Sequence, residues 1–339
     1  MKRLYIYFLF IPLMLVISCK ELFFDDPANT SETNFEIFWS DFNKYYAHFK
    51  VNGINWDSVY LVNRPRVNAQ TSSEELYNVL EEIIASMNDG HVNLYTPFAT
   101  ASCQDCIHDD YPSSGLINPF NYLVPGPRQP NIEIMEYRMV SGHNIGYILL
   151  KQFSGDESSF GIIDTIIDEF RNTNGIIIDV RGNGGGNSNN AEIVASRFAD
   201  KKRLYSRYIV KVGAGENDFS DWYDVFITPA GDVQYSKPVV VLTSRKTFSS
   251  AEGFVLAMRE LPNTTIVGDT TGGGMGSPVY RELPNGWVFR LSTKLFTTKE
   301  YEILENIGIA PDITEITTRQ DSIDGIDRIL ERGIEVIEN

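Results

Sequence analysis

Cysteine is scarce: Cys19, Cys103 and Cys106 are the only three in 339 residues. So few cannot knit a disulfide scaffold, and the fold must rest on a hydrophobic core. Histidine is nearly as rare, with only His48, His91, His108 and His143, so any histidine-dependent reaction has few candidates. Basic charge is short as well. Lys and Arg number 29 against 45 Asp and Glu, giving a formal charge of −16 spread along the chain. A nucleic-acid binder would show a basic face to phosphates, and that class is excluded. There are no internal repeats, and no low-complexity composition that would signal a mostly disordered or collagenous chain. What is present, 42% hydrophobic and 22% charged residues, is an ordinary globular balance, long enough for one large domain or two of usual size.

The N-terminus carries a separate message. Lys2 and Arg3 precede an apolar stretch from Leu4 to Ile17, followed by Ser18 and Cys19. A charged start, a short apolar run and a small residue before the cut describe a secretory signal, residues 1–18, and the run is short for a spanning helix. The string Val16-Ile17-Ser18-Cys19 resembles the bacterial lipobox, which implies lipidation of Cys19 and anchoring to the cell envelope. An uncleaved anchor helix is the other reading. Loss of Lys2 and Arg3 takes the formal charge from −16 to −18. Asp25-Asp26 hints at surface export, and the membrane face stays open between periplasm and exterior.

Residues 19–33 read as a polar tether and 34–95 as a helical domain. Phe35, Phe38, Trp39 and Phe42, then Leu76, Val79, Leu80, Ile83 and Met87, fall at helical spacing. Ser72 with Glu75 is a capping box. Asp89-Gly90 closes the second helix, with Gly90 expected in the left-handed region, and His91 opens a strand-like run. Residues 96–144 read as an irregular loop and β segment. From 145 the chain alternates: strands at 145–150, 175–180, 238–243 and 265–268, with helices at 158–170, 191–198 and 250–260 between them. That order predicts crossover connections and a largely parallel, covered sheet. A strand is expected at 287–295 and a final helix within 319–339.

Three places carry chemistry. Asp179-Val180-Arg181-Gly182-Asn183-Gly184-Gly185-Gly186 is a glycine loop that can leave amide N–H groups open to an anion or carbonyl. It lacks the G-K-[ST] ending of a phosphate loop, and a plain glycine turn is the bland alternative. Thr247 to Phe254 sets Ser249 and Ser250 at a strand-to-helix turn, where a hydroxyl can be exposed beside a helix N-terminus, although serine is also an ordinary cap there. The string is not the G-x-S-x-G elbow of α/β hydrolases. His91, after Asp89-Gly90, is held at a helix end. His48 lies in an aromatic helical stretch and reads as packing, while His143 reads as a turn.

Asn88-Asp89-Gly90-His91, the 179–186 loop, Thr247–Phe254, Gly268-Asp269-Thr270-Thr271-Gly272-Gly273-Gly274 and the string Glu305 to Ile313 occur in the order of the S41 peptidases. These are the C-terminal processing and tricorn-type serine proteases, with interphotoreceptor retinoid-binding protein as a relative. The chain resembles them over about residues 33–315. The resemblance implies an α/β fold with a crotonase- and ClpP-like ββα core at 145–318, preceded by the N-terminal helical domain. The processing branch takes a lysine base from the loop that here reads Gly272-Gly273-Gly274, so the likeness is to the tricorn branch, whose histidine matches His91 and whose glutamate matches Glu305. The second tricorn serine is replaced by Gly90. The implied roles are Ser249 as nucleophile and His91 as base, with an oxyanion hole from the Ser250 N–H and that of Gly184 or Gly185. Glu305 either orients His91 or receives the substrate amine through a water.

No cofactor and no metal is expected, and the 96–144 segment is too short and irregular for a PDZ domain. In an oxidising compartment Cys103 and Cys106 are expected to form a small disulfide. With His108 they offer three zinc ligands where structural sites want four, and redox catalysis lacks a thioredoxin-like unit. The expected partner is a peptide or unfolded protein, hydrolysed by a membrane-anchored serine peptidase. The rival is a non-catalytic peptide- or lipid-binding lipoprotein on the same fold, with an esterase as a third reading. Neither the cleavage specificity nor the oligomeric state follows from the residues.

Overall fold

The computed structural model describes residues 27–103, 106, 118–126 and 133–339. The signal, Cys19, most of the tether and His108 fall outside these residues, and among the described ones no helix is long and apolar enough to cross a membrane. Three helices open the chain: α1 (Ser31–Tyr45), α2 (Trp56–Asn63) and α3 (Ser73–Ala85). Thr30, Asn55 and Ser72 cap them through side-chain oxygens, Ser72 in the expected capping box with Glu75. The left-handed residue after α3 is Asn88, at φ 48°, and not Gly90. Asparagine tolerates that region better than other residues with a Cβ, which leaves Gly90 free for the turn into His91.

Short strands β1 (Asn93–Tyr95) and β2 (Thr100–Ser102) follow, then β3 (Met135–Met139), β4 (Ile145–Leu150), α4 (Ile162–Phe170), β5 (Gly175–Asp179), α5 (Ser188–Ala195), β6 (Arg203–Val210) and β7 (Tyr223–Ile227). The chain continues through β8 (Val239–Thr243), α6 (Ser250–Arg259), β9 (Thr264–Gly268), β10 (Pro278–Glu282), β11 (Val288–Ser292), β12 (Lys294–Thr298) and β13 (Ile313–Thr314) to α7 (Arg319–Asp324) and α8 (Arg328–Glu338). The main sheet has the order β13-β9-β8-β5-β4-β3, parallel except for the edge pair β3–β4. Its central strands, Gly-Ile-Ile-Ile-Asp and Val-Val-Val-Leu-Thr, are buried at every position. Helices cover both faces, so unbroken apolar runs are what such strands require. On one face α4 contributes Ile163, Ile166, Ile167 and Phe170, a stripe at helical spacing. On the other, Ile329, Leu330, Ile334 and Ile337 of α8 pack on Ile177, Val240 and Leu242.

Two smaller sheets, β10-β11-β1-β2 and β12-β6-β7, flank the main one. The single strand expected at 287–295 is two: β11 ends at Ser292, the chain turns at Thr293, and β12 joins the other sheet. Phe289 and Leu291 of β11, with Leu283 and Trp287, close the same apolar cluster as Phe35, Phe38, Phe42 and Leu80. The N-terminal helices therefore share their core with residues from the far end of the chain. Within 96–144 lie the short strands β2 and β3, and no PDZ domain is present among the described residues. Cys103 and Cys106 are joined by a disulfide, so neither sulfur is available as a zinc thiolate, and Cys106 Sγ lies 3.4 Å from Asn88 Oδ1 beside the His91 turn.

Candidate active site

Parallel strands deliver their following loops to one edge of the sheet. The loop after β5 begins at Val180 and the turn after β8 begins at Ser244, and they lock together. Thr247 Oγ1 donates to Val180 O at 2.9 Å, Phe248 N donates to Asn183 O at 3.0 Å, and Ser244 Oγ donates to Arg181 O. Beneath them Arg181 is buried to 1% exposure. Its guanidinium donates to both oxygens of Asp179, at 2.6–3.0 Å, and to both of Asp327, at 2.7 and 2.9 Å. The glycine loop is thus tied to the first turn of α8.

Ser249 ends the second of these turns with φ 59° and ψ −127°, a conformation disfavoured for any residue carrying a Cβ. Its N–H is held by Gly274 O at 2.9 Å and by Glu252 Oε2 at 3.2 Å. His91 Nε2 sits 3.0 Å from Ser249 Oγ. A serine of the kind that often caps a helix is here within hydrogen-bond distance of an imidazole nitrogen. Gly185 makes this approach possible: at φ 96°, a Cβ there would lie 2.7 Å from Ser249 Cβ and 3.0 Å from Ser250 N.

The three N–H groups expected to form an oxyanion hole differ in their partners. Ser250 N is the first amide of α6 and has no acceptor among the described residues, and the same holds for Gly184 N. Gly185 is different. Its N–H donates to Asn183 Oδ1 at 2.9 Å, so of the two expected glycines only Gly184 has an N–H without an acceptor among the described residues. Asn183 is itself fixed by a 3.0 Å bond from Nδ2 to Leu150 O.

His91 is 3% exposed, with its ring against Phe248 at 4.9 Å between centroids. Its backbone N–H donates to Asp89 Oδ1 at 2.8 Å, and Arg290 Nε donates to its carbonyl at 2.9 Å. Burial pulls the imidazole below its usual range, outweighing the opposite pull of Asp89 and Glu305, and so favours the uncharged ring. Two carboxylates, Asp89 and Glu305, bear on the ring. Asp89 Oδ1 is 3.9 Å from His91 Nδ1, whereas Glu305 accepts Met275 N–H at 3.0 Å through Oε2 and turns Oε1 to within 3.4 Å of His48 Nδ1. His48, read from sequence as packing, is a buried polar partner of both acids, since its Nδ1 is also 3.2 Å from Asp89 Oδ2. The donor atoms of His48, Asp89 and Glu305 lie within 4.8 Å of one another, a grouping of the kind that can surround a cation.

Glu252 is the site residue that sequence reading missed. Fully buried, it gathers Thr271 Oγ1 at 2.6 Å, Gly273 N at 2.9 Å and Gly274 N at 2.7 Å besides Ser249 N. Burial pushes its carboxyl up to about 7 against those donors, with Glu305 adding to the rise. The clue was the Ser-x-x-Glu spacing of Ser249 and Glu252, a capping-box pattern. The site opens into a cleft of about 1150 Å³ lined by Gly184, Tyr205, Tyr208, Phe254, Met275 and Phe296 among others.

Residues 144–315, just over half of the chain, match peptidase family S41, and residues 27–85 match the tricorn protease C1 domain. The chain belongs to peptidase family S41. A solved structure of a candidate peptidase from Parabacteroides merdae ATCC 43184 superimposes with a TM-score of 0.82 at 32% identity, covering 92% of this S41 chain and 98% of that one. The carboxy-terminal processing protease CtpA of Bacillus subtilis is 28% identical over 179 residues, 52% of this chain and 36% of that protein. The carboxy-terminal-processing protease of Bartonella bacilliformis is 28% identical over 188 residues, 54% of this chain and 41% of that protein. The S41 chain thus spans well under half the length of these two curated relatives, and serine-type peptidase is the class of hydrolase its family membership supports.

Proposed function

We propose that this chain is a serine peptidase that works through an acyl-enzyme on Ser249, exported and held at the cell envelope by a lipid on Cys19. The observation that carries the reading is the 3.0 Å contact between His91 Nε2 and Ser249 Oγ at a strained turn. A neutral imidazole in that place accepts the hydroxyl proton as Oγ bonds to the peptide carbonyl carbon. The oxygen that becomes negative meets the N–H groups of Ser250 and Gly184, donors of the kind whose individual loss costs about 10²–10³ in kcat. His91 then passes its proton to the departing amine as the C–N bond breaks. Water adds to the acyl ester by the same route, giving its proton to His91 and returning Ser249. Asp89, nearest to Nδ1, with Glu305 behind it, favours the positive ring in between.

The substrate class is a peptide or unfolded protein. Covalent labelling by a fluorophosphonate tests the nucleophile: wild type is labelled at Ser249 and Ser249→Ala is not. Folded but unlabelled wild type would favour the non-catalytic binding reading. Turnover of an ester library but not of a peptide library would favour an esterase. For the anchor, metabolic labelling with a fatty acid is expected in the wild type and lost in Cys19→Ser.

A further inference from the structure

We propose that His48 is a positioning residue for the base: a buried imidazolium clamped between Asp89 and Glu305 that keeps Asp89 ionised and aimed at His91. The inference rests on the reading of Ser249 and His91 as nucleophile and base. Its starting point is a hydrogen that can be placed by chemistry. His48 is fully buried, and its Nε2 lies 2.8 Å from Lys294 O. A carbonyl only accepts, so Nε2 carries the hydrogen. In a neutral ring Nδ1 would then be a lone pair, yet it faces Asp89 Oδ2 at 3.2 Å and Glu305 Oε1 at 3.4 Å, without an aligned bond to either. A lone pair between two carboxylates is repelled by both. A second proton turns both contacts into attraction. Burial opposes that proton, but the two acids outweigh it and hold His48 well above the usual imidazole range.

The clamp reaches the reacting atoms through Asp89, each of whose oxygens has its own task. Oδ2 accepts the Tyr46 hydroxyl at 3.0 Å and faces His48, while Oδ1 accepts the His91 N–H at 2.8 Å and lies 3.9 Å from its Nδ1. Glu305, His48, Asp89, His91 and Ser249 therefore form one line of contacts drawn from four separate stretches of chain. The buried group of two acids and one cation carries a net negative charge. That charge keeps the Nδ1 hydrogen on His91, leaves Nε2 open to Ser249, and stabilises the ring once it has taken a proton. The charged and titratable groups that bear on His91 are Asp89, Glu305, Arg290 and His48. Those bearing on His48 are Asp89 and Glu305, with the Tyr46 ring beside it.

Without the cation, two carboxylates this close share a proton at higher pH than either would alone. Protonation of Asp89 removes the charge behind His91. With both acids ionised, the His91 ring itself binds its proton more tightly. Both effects switch off the base at higher pH than in the wild type.

The test compares wild type with His48→Gln, which keeps an N–H for Lys294 O but no charge. The readouts are fluorophosphonate labelling of Ser249, kcat and KM on a cleaved peptide, and the pH profile of kcat/KM. Expected for His48→Gln is a kcat about 10²-fold lower, the loss a misplaced group can cause, with KM within about twofold of wild type. The acid limb should move up by about one pH unit, within the range a neighbouring charge produces. A lost folded fraction would lower kcat without moving that limb, so an unshifted limb overturns the proposal. Independently of activity or of the variant's folding, ¹⁵N NMR of histidine-labelled wild type should show one ring with both nitrogens protonated up to pH 8. Its absence overturns the proposal, as would a stoichiometric divalent metal in the purified protein whose chelation abolishes activity. If wild type is unlabelled at Ser249, the catalytic reading fails and the NMR result alone decides the state of His48. If wild type is active and His48→Gln matches it, only the inference about His48 fails.

Discussion

Replacing Arg181 by methionine tests whether the glycine loop is braced by a buried ion triad. The side chains are of similar length, so the change removes charge and donors more than volume. In the native fold Asp179, Arg181 and Asp327 are at most 2% exposed, and the guanidinium supplies both oxygens of each acid. After Arg181→Met, Asp179 keeps the Tyr147 hydroxyl at 2.7 Å and the residue 181 amide at 3.0 Å, while Asp327 keeps the Leu330 amide at 3.1 Å. No cation is left for either. Removing one partner of a buried pair costs about 3–5 kcal/mol, a large part of a typical stability of about 5–15 kcal/mol. The pH dependence is diagnostic. Arginine does not titrate, so the native triad adds no slope near neutrality. In the variant the stranded acids have folded-state pKa values raised above their unfolded ones near ~3.9. Stability is then fully present below that value and falls as pH rises, by about 1.4 kcal/mol for every tenfold weakening of the acids in the folded chain. Urea unfolding followed by circular dichroism at pH 5 and pH 8 should give the larger deficit at pH 8. A deficit below about 1 kcal/mol at pH 8, or one equal at both pH values, would refute the triad as a brace. The double variant Arg181→Met/Asp327→Leu should recover part of the loss, because one unpaired charge goes with the cation.

Because burial lowers His91, the acid limb of kcat/KM, which reports the free enzyme, is expected below the usual histidine value near ~6.5; a limb above it would contradict the buried neutral base. Gly185→Ala sets a Cβ 2.7 Å from Ser249 Cβ at φ 96°; kcat should fall about 10²-fold with the circular dichroism spectrum unchanged, and full activity would mean that the loop does not abut the nucleophile. Reduction of the Cys103–Cys106 bond opens a loop closed at a sequence separation of 3, for which chain entropy allows only about 2 kcal/mol; a much greater loss in urea unfolding with dithiothreitol would show that the disulfide does more than close its own loop.

The main sheet was readable because its strands are buried on both faces. Ile176–Ile178 and Val239–Leu242 have no polar side chain to blur the pattern, and α4 shows its stripe in four residues. Strands β6 and β7 went unread, since they lie in the partly exposed sheet β12-β6-β7 and mix arginine, tyrosine and aspartate. At the site, Ser249 and His91 were legible through motif order, and the structure brings them together. The acid relations were not. Glu305 sits where the motif puts it, but what it faces depends on His48, which follows α1 far away in sequence and looks apolar only because Tyr46 and Phe49 flank it. Glu252 had a visible spacing, yet an S-x-x-E pattern cannot tell a surface cap from a buried carboxylate collecting amides of the 271–274 loop. A donor turned inward, as in Gly185, leaves no trace in sequence at all.

The two halves of the site are braced by the same device with different cations. Asp179–Arg181–Asp327 fixes the loop that carries the Gly184 donor, and Asp89–His48–Glu305 stands behind the base. In each, two buried acids close on one cation, so much of the acid excess that this chain buries is spent on holding loops and not on contacting substrate. The choice of cation divides the labour. A guanidinium matches two carboxylates in a plane and cannot lose its proton, which suits a loop whose amides must stay in place at every working pH. An imidazolium can lose its proton. His48, with a raised pKa, contributes fully below the unfolded histidine value and ceases to do so as pH rises through its folded one. The oxyanion side is thereby indifferent to pH while the base side is not, and an arginine could not replace His48 without making the two alike.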